Sequence, residues 1–269
     1  MNGQAEGLLR RKARPLTYPL PTLAVTSARR GSGATTVARN VAASLTAAGQ
    51  RAALLDLSGR APGGAVADLS EALAGRATLR ECLRRGPAGI ELGGLGVPQA
   101  LTSEARGGQL LGLLDVLRAE VDALVVDLPA DAPLTGRLLE AADLGLVVAD
   151  KDPADVTASY ALFKRLAAPR ASLGLCLNRV EETDAAQRVG RGIQEVCRRF
   201  LAWEPDLLPP IPQDSAVREA ARRGLPLRQA APSSAAHVSF SLLGRAVRKR
   251  FAAGPRVQEG VYLHLEGAA

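Results

Sequence analysis

The chain has 269 residues, of which 47% are hydrophobic and only 3% aromatic, so it can bury one large α/β core built from Leu, Val and Ala. No apolar run could span a bilayer and no secretory signal pattern opens the chain, which predicts a cytoplasmic protein; the net charge of +7 comes from arginines spread along its length. Three cysteines without C-x-x-C spacing and two isolated histidines predict buried free thiols and argue against a zinc site or a Ser/His triad.

Short apolar runs alternate with amphipathic stretches along the chain. The runs predict strands over residues 22–27, 51–57, 90–97, 123–128, 144–149 and 173–178, with a last short one near 207–211. The amphipathic stretches predict helices over 35–48, 107–120, 135–142, 154–166 and 184–200, and a final helix over 237–252. This alternation indicates an α/β fold, a three-layer, doubly wound and mostly parallel sheet that binds ligands beyond the carboxyl ends of its strands. The chain divides accordingly into an arm (1–19), one domain (20–253) and a tail (254–269).

A glycine-containing turn follows the first predicted strand and leads directly into the first predicted helix. Gly33 and Thr35 fit the phosphate-binding pattern G-x-x-x-x-G-K-[ST], in which backbone N–H groups surround the phosphates and the Ser/Thr holds Mg²⁺. Ala28 stands where the first glycine belongs, and Ala34 stands where the lysine belongs. A turn of this composition can also simply join a strand to a helix.

Polar residues end three other predicted strands. Asp56 and Asp127 each follow an apolar run, and together with Thr35 they form a candidate Mg²⁺ site. Asn178 ends a further strand with an amide that can read an adenine edge through its paired donor and acceptor. Such residues also commonly cap helices or form turns, but their joint occurrence at strand ends favours a nucleotide site.

Several ordered segments between about residues 20 and 252 resemble the MinD/ParA family of deviant P-loop ATPases, and within it the FlhG (FleN) regulators of flagellar number. Residues 29–36 (R-R-G-S-G-A-T-T) are similar to the family loop K-G-G-V-G-K-T-T, and residues 127–131 (D-L-P-A-D) to its D-x-P-A-G segment. Residues 160–166 (Y-A-L-F-K-R-L) resemble Y-A-L-I-K-x-L of the FlhG branch. Residues 211–220 (I-P-Q-D-S-A-V-R-E-A) resemble the I-P-x-D-x-x-V-R-x-A segment beside the nucleotide base.

The resemblance implies ATP or ADP with Mg²⁺ as the cofactor, and the possibility of a homodimer. The residues that it assigns to the nucleotide are Arg29, Gly31, Gly33, Thr35, Thr36, Asn178, Pro212 and Asp214. Those that it assigns to Mg²⁺ are Thr35, Asp56 and Asp127.

The N-terminal arm resembles the D-Q-A-x-x-L-R helix with which FlhG proteins stimulate a partner GTPase of the SRP type, FlhF. Gln4, Ala5 and Leu8 match that pattern, whereas its Asp is absent and its Arg is displaced by one position. The resemblance therefore implies a protein partner of the FlhF kind.

The chain departs from the family pattern at positions that the resemblance assigns to phosphate binding and hydrolysis. Arg29 replaces the family's first loop lysine, Arg30 replaces a glycine, and Ala34 replaces the lysine that neutralises the phosphates. Ser58 stands for the second carboxylate of D-x-D, and Asp131 replaces the switch glycine. Arg29 or Arg30 could swing onto the phosphates and compensate one change, but so many changes around one ligand indicate a pseudo-ATPase. A slow but genuine ATPase is the alternative.

Two basic surfaces bear on the choice of partner. The final predicted helix places Phe240, Leu243, Val247 and Phe251 on one face, with Arg245, Arg248, Lys249 and Arg250 around it. This pattern suits a packed core helix or a membrane-targeting helix at the inner face of the plasma membrane; the packed helix is favoured, because in the family that the chain resembles the targeting helix comes after this point. The second surface is a cluster of arginines that could bind DNA non-specifically, as ParA-like proteins do, or could be a solvated helix face: Arg218, Arg222, Arg223 and Arg228.

The sequence therefore predicts a MinD/FlhG-like regulator of the position or number of a cell-surface structure of the flagellar kind, with weakened nucleotide binding and little hydrolysis. A genuine slow ATPase of the family is one alternative. A ParA-like DNA-bound or pilus-localising positioning protein is the other.

Overall fold

A computed structural model describes residues 18–59, 67–93, 103–166 and 172–253. Its strands are β1 Thr22–Ser27, β2 Ala52–Asp56, β3 Arg84–Gly86, β4 Gly89–Gly93, β5 Ala123–Asp127, β6 Leu144–Asp150, β7 Ser172–Val180, β8 Asp206–Leu207 and β9 Ile211–Pro212. Its α-helices are α1 Ala34–Ala47, α2 Leu69–Leu73, α3 Glu104–Leu114, α4 Thr135–Glu140, α5 Pro153–Arg165, α6 Thr183–Leu201, α7 Ser215–Arg222, α8 Leu227–Ala230 and α9 Ala235–Ala252. Short 3₁₀ helices cover Leu79–Cys82 and Asp115–Ala119.

The strands form one sheet in the order β3-β4-β2-β5-β1-β6-β7-β8, and β9 also pairs with β7. Every pair is parallel except β3 with β4, which form an antiparallel hairpin at one edge. The predicted doubly wound, mostly parallel sheet is thus confirmed. Parallel strands all point the same way, so the carboxyl ends of β1, β2, β5, β6 and β7 meet at a single edge.

The sheet is covered on both faces, because successive side chains of each strand point to opposite sides. On β5, Ala123 and Val125 pack in a cluster with α1 and α9, whereas Leu124 and Val126 pack in a second cluster with α5 and α6. We call these the α1/α9 layer and the α5/α6 layer. The central strands are therefore apolar on both faces, which explains why they stand out in the sequence as continuous hydrophobic runs.

Three predicted elements differ in detail. Strand β3 was not predicted, because Arg84, Arg85 and Gly86 show no apolar pattern. The predicted helix over 107–120 is a helix that ends at Leu114, followed by a 3₁₀ turn. The predicted last strand is two strands of two residues each, β8 and β9, on either side of a Pro-Pro pair that has no N–H group to donate to a ladder.

Helix α9 packs against α1, as its apolar spacing predicted. Phe240, Leu243 and Val247 are buried in the α1/α9 layer. At Gly244 a Cβ atom would lie 2.4 Å from Ser44 Oγ, so the two helices approach so closely there that any larger residue would displace Ser44 or the helix. The Ser234 hydroxyl accepts a hydrogen bond from the His237 N–H at 3.1 Å and caps the helix. None of the helices in the described ranges is long and apolar enough to cross a membrane.

All three cysteines are buried and free, as predicted. Cys82 and Cys197 lie in the α5/α6 layer and Cys176 lies in the α1/α9 layer. Burial raises the pKa of the Cys176 thiol to about 12 and that of Cys197 to about 11, so both stay protonated at neutral pH.

Candidate functional site

The strand register brings the polar strand-end residues together. Asp56 on β2 is the direct neighbour of Asp127 on β5, and Asp150 on β6 is the direct neighbour of Asn178 on β7. Strand β1 lies between β5 and β6, so the loop that follows β1 projects over the middle of this edge. The sheet thus assembles the predicted site from segments that are far apart in sequence.

The loop between β1 and α1 has the backbone shape of an anion-binding turn. Gly31 and Gly33 have φ angles of +92° and +101°, which glycine adopts more readily than any other residue. The hydroxyls of Ser27 and Ser32 both donate to the Arg29 carbonyl, at 2.8 and 2.9 Å, and close the turn. The N-cap residue of α1 is Gly33, which has no side chain with which to cap the helix, and the first N–H groups of α1 point toward the loop as they do in anion-binding helix starts.

Strand β7 holds this loop from the side. The Asn178 amide donates to the Ser32 carbonyl at 2.8 Å, and the Arg179 guanidinium donates to the Gly31 carbonyl at 3.0 Å. A Cβ atom at position 33 would lie 2.2 Å from Asn178 Nδ2, so Gly33 is needed for space as well as for its φ angle. Asn178, expected to read an adenine edge, therefore uses its N–H₂ group to position the loop.

Arg179 is a positioning residue that sequence reasoning missed. It has a φ angle of +56°, which is uncommon outside glycine, at the irregularity between β7 and β9. This backbone conformation turns the chain at the end of β7, and the guanidinium reaches both the loop and the Asp150 carboxylate, at 2.6 Å. No sequence pattern signals a left-handed arginine, so only the geometry reveals it.

Two carboxylates are buried where β2 and β5 end. Asp56 and Asp127 are each 2% exposed. The Ser58 N–H and hydroxyl both donate to Asp56 Oδ1, at 2.9 and 2.6 Å, whereas Asp56 Oδ2 is buried and has no hydrogen-bond partner among the residues that the structure describes. A buried carboxylate oxygen in that state fits a cation, and the hard oxygen donors of Asp56, Asp127 and Thr35 suit Mg²⁺.

A cavity of about 470 Å³ opens between the loops that follow β1, β2 and β5. The loop after β1 and the start of α1 contribute Ser27, Arg30, Gly31, Gly33, Ala34 and Thr35; the other two loops contribute Ser58, Gly59 and residues 127–133. Ala34 presents only a methyl group to this cavity, at the position of the lysine in the pattern G-x-x-x-x-G-K-[ST].

The two loop arginines are both engaged with aspartates. Arg30 pairs with Asp131 at 2.8 Å, and Arg29 pairs with Asp152 at 3.6 Å. All four side chains are about half exposed or more, so these pairs are weak and can exchange partners. Arg30 is among the cavity-lining residues and Arg29 is not.

The remaining predicted site residues have structural roles or lie elsewhere. The Asp214 carboxylate caps α7 by accepting from the Ala216 N–H at 2.9 Å and joins α7 to α9 by accepting from the Ala236 N–H at 3.3 Å. Pro212 ends β9 beside β7, and Thr36 lies in the first turn of α1 but is not among the cavity-lining residues. Gln4, Ala5 and Leu8 lie outside the described residues.

Comparison with known proteins agrees with this geometry. Residues 23–227 match the model of a family described as the CobQ/CobB/MinD/ParA nucleotide binding domain. The chain is 28% identical over 252 residues to the antiactivator FleN of Pseudomonas aeruginosa, covering 86% of this chain and 87% of FleN.

Two solved structures of MinD are similar in fold. Pyrococcus furiosus MinD superposes with a TM-score of 0.67 at 19% identity, covering 85% of this chain and 98% of that one. Pyrococcus horikoshii MinD, solved with Mg-ADP, has a TM-score of 0.66 at 20% identity and covers 87% of this chain and 98% of its own.

Proposed function

The chain belongs to the CobQ/CobB/MinD/ParA nucleotide-binding domain family, and from that premise we propose that it is a MinD/FlhG-like regulator of the position or number of a cell-surface structure of the flagellar kind. It acts through protein contacts and carries a degenerate P-loop site with weakened nucleotide binding and little hydrolysis. The similarity to FleN, which extends over most of both chains, supports the regulatory role.

The observation that carries the degenerate-site proposal is the methyl group of Ala34 in the phosphate cavity. A preorganised charged or hydrogen-bonding group at a reacting centre is worth about 10²–10³ in rate, and the group missing here is a full cation. Asp131 adds a negative charge to the same cavity. Both changes disfavour the charge that develops on a transferring phosphoryl group.

The remaining groups are those that bind rather than react. The glycine loop and the uncapped start of α1 provide N–H donors for phosphate. Thr35 and Asp127 line the cavity, and Asp56, which does not, is the neighbour of Asp127 on β2; these three residues would hold Mg²⁺, which when bound neutralises phosphate oxygens. The site therefore supports binding more readily than turnover.

The test is calorimetric titration of Mg-ATP and Mg-ADP into the wild type and Ala34→Lys, with a hydrolysis assay beside it. Ala47→Lys is the matched control, because it adds the same charge at the far, exposed end of α1. We expect weak binding and negligible turnover in the wild type, and at least about tenfold tighter binding in Ala34→Lys alone. Turnover by the wild type that Asp56→Ala abolishes would instead establish the slow ATPase.

A partner GTPase of the SRP type is proposed to contact the N-terminal arm. The support is the match of Gln4, Ala5 and Leu8 to the FlhG activating pattern. Measured stimulation of an FlhF-type GTPase by the full chain, lost in Leu8→Ala, is the expected result. Equal stimulation by the wild type and the variant would exclude the arm as the contact.

The DNA-bound alternative is favoured by one observation. Four arginines of α7, α8 and the segment between them are exposed, namely Arg218, Arg222, Arg223 and Arg228. Arg222 pairs with Glu219 at 3.1 Å, which reduces the net charge there. Retention on DNA at low salt that is lost by about 0.2 M would support this alternative, because phosphate contacts release counterions.

A further inference from the structure

We propose that Arg30 is the residue that contacts phosphate in this site, and that Asp131 is its exchangeable counter-ion, which competes with phosphate for the guanidinium. The inference rests on the proposed nucleotide site and adds to it the source of the missing positive charge. It concerns two positions at which this chain departs from the family pattern, and the structure shows that these departures meet in space.

The geometry places the pair at the cavity. Arg30 lies in the loop after β1 and Asp131 in the loop after β5, on neighbouring strands, and the Arg30 Nη2 to Asp131 Oδ2 distance is 2.8 Å. Both residues line the cavity. The Arg29–Asp152 pair lies at the same edge of the sheet, yet neither of its residues lines the cavity.

The charges of the lining make Arg30 the candidate. Among the described residues that line the cavity, Arg30 is the only cation, and Asp127 and Asp131 are the anions. With the Arg30–Asp131 pair intact, the lining is unfavourable for a polyanion. If Arg30 leaves Asp131, its planar guanidinium can bind phosphate oxygens in the bidentate manner that arginine favours.

The strength of the Arg30–Asp131 ion pair determines whether Arg30 stays bound to Asp131 or can exchange onto phosphate. The Arg30 and Asp131 side chains are 72% and 61% exposed, and an ion pair in water shifts an equilibrium by no more than about fivefold. Such a pair cannot hold the cavity shut against a phosphate. It can, however, lower the apparent affinity for phosphate by the fraction of time that Arg30 spends on Asp131.

The wall that carries Asp131 is anchored at its base. The Leu128 N–H donates to the Val25 carbonyl at 2.8 Å, and the Thr135 hydroxyl donates to the Pro129 carbonyl at 2.6 Å. The exchange therefore needs only a rotation of two exposed side chains, without movement of the strands that frame the site.

The experiment is calorimetric titration of Mg-ADP, Mg-ATP and inorganic pyrophosphate into the wild type, Arg30→Ala, Asp131→Asn and the double variant. We expect Asp131→Asn to tighten binding of all three probes by about threefold to fivefold, and Arg30→Ala to weaken it by at least as much. In the Arg30→Ala background the gain from Asp131→Asn should fall to less than half. Binding that is detectable only in Asp131→Asn supports the proposal equally.

Asp152→Asn is the matched comparison. It releases Arg29 as Asp131→Asn releases Arg30, and its amide oxygen can still cap α5, where Asp152 accepts from the Ala154 N–H at 2.8 Å. Tighter binding in Asp152→Asn, with no change in Asp131→Asn, would assign the phosphate contact to Arg29 and overturn the proposal. Unchanged affinity in Arg30→Ala, or no binding by any variant at millimolar ligand, would also overturn it.

These outcomes are distinguishable from failure of the proposed function. The regulator proposal is judged by stimulation of a partner and by the absence of turnover, neither of which requires Arg30. A chain that stimulates its partner but shows no dependence of affinity on Arg30 would retain the function and lose this inference.

Discussion

The two sides of the glycine loop between β1 and α1 differ in what they contribute to it. On the β7 side, Asn178 and Arg179 hold the loop backbone through hydrogen bonds to Ser32 and Gly31. On the cavity side, Ala34 presents only a methyl group, and Arg30 is paired with Asp131 of the loop after β5. The contrast teaches that the backbone shape of this loop and the charge that it presents to the cavity depend on separate contacts, so a substitution can change one without the other.

The largest effect on stability is expected from adding a methyl group to the loop at Gly33, where it contacts β7. Gly33→Ala forces φ = +101° on a residue with a Cβ atom and places that atom 2.2 Å from Asn178 Nδ2. We expect a loss of about 2–3 kcal/mol in the free energy of unfolding, from strain and a displaced hydrogen bond.

Gly31→Ala is the control, because its φ is +92° but nothing lies within 4 Å of the added atom. Strain alone should cost about 1 kcal/mol. Urea denaturation of both variants measures the difference; equal losses would mean that Asn178 does not hold the loop.

The next effect tests the Asn178 hydrogen bond directly. Asn178→Asp replaces the donor to the Ser32 carbonyl with a carboxylate, in a side chain that is 8% exposed. We expect a loss of about 2 kcal/mol in the free energy of unfolding, because the buried Ser32 carbonyl loses its donor and faces a carboxylate oxygen instead. Arg179→Ala should cost less than about 1 kcal/mol, since its ion pair with Asp150 is partly exposed. The reverse order in thermal unfolding would transfer the positioning role to Arg179.

On the altered side, removing a carboxylate should stabilise the chain. Asp56 and Asp127 are neighbours on adjacent strands, and both are buried. Asp56→Asn keeps an acceptor for the Ser58 hydroxyl and removes one of two like charges, so we expect a gain of about 1 kcal/mol in EDTA. The wild type should gain stability from added Mg²⁺ and the variant should not. A Mg²⁺ response that survives in Asp56→Asn would place the ion elsewhere.

The smallest effect is expected on the stability of the ligand-free chain when a lysine replaces Ala34. Ala34→Lys places a positive charge at the start of α1, where the helix dipole disfavours it, so we expect a loss of about 0.5 kcal/mol. The same substitution should tighten nucleotide binding, so stability and affinity change in opposite directions. A stabilised, ligand-free Ala34→Lys would contradict the idea that this position faces an open phosphate site.

The fold was largely readable from the sequence, because strands buried on both faces appear as continuous apolar runs, as β5 does at Ala123–Asp127. Strand β3 was missed, since its Arg84 and Arg85 show neither apolar nor alternating character. The glycine loop was readable for a similar local reason: a turn with positive φ angles between a strand and a helix calls for glycine.

The contacts that make the site were not readable. The Arg30–Asp131 pair joins residues 101 positions apart, and the Asn178–Ser32 hydrogen bond joins residues 146 positions apart. Both contacts depend on the order of the strands in the sheet, which places β1 between β5 and β6. Local sequence patterns predict strands but not their order. Single residue types could therefore be nominated, but their partners could not.

The buried thiols are distributed over both helical layers, so their reaction with a thiol reagent can report which layer opens. A thiol reagent reacts with the thiolate, and the raised pKa values of Cys176 and Cys197 leave almost none of it while the layers stay packed. Cys176 records separation of the α1/α9 layer, whereas Cys82 and Cys197 record separation of the α5/α6 layer. The cysteine that is labelled first under mild denaturant thus identifies which of the two layers separates first from the sheet, and no label has to be engineered into the chain.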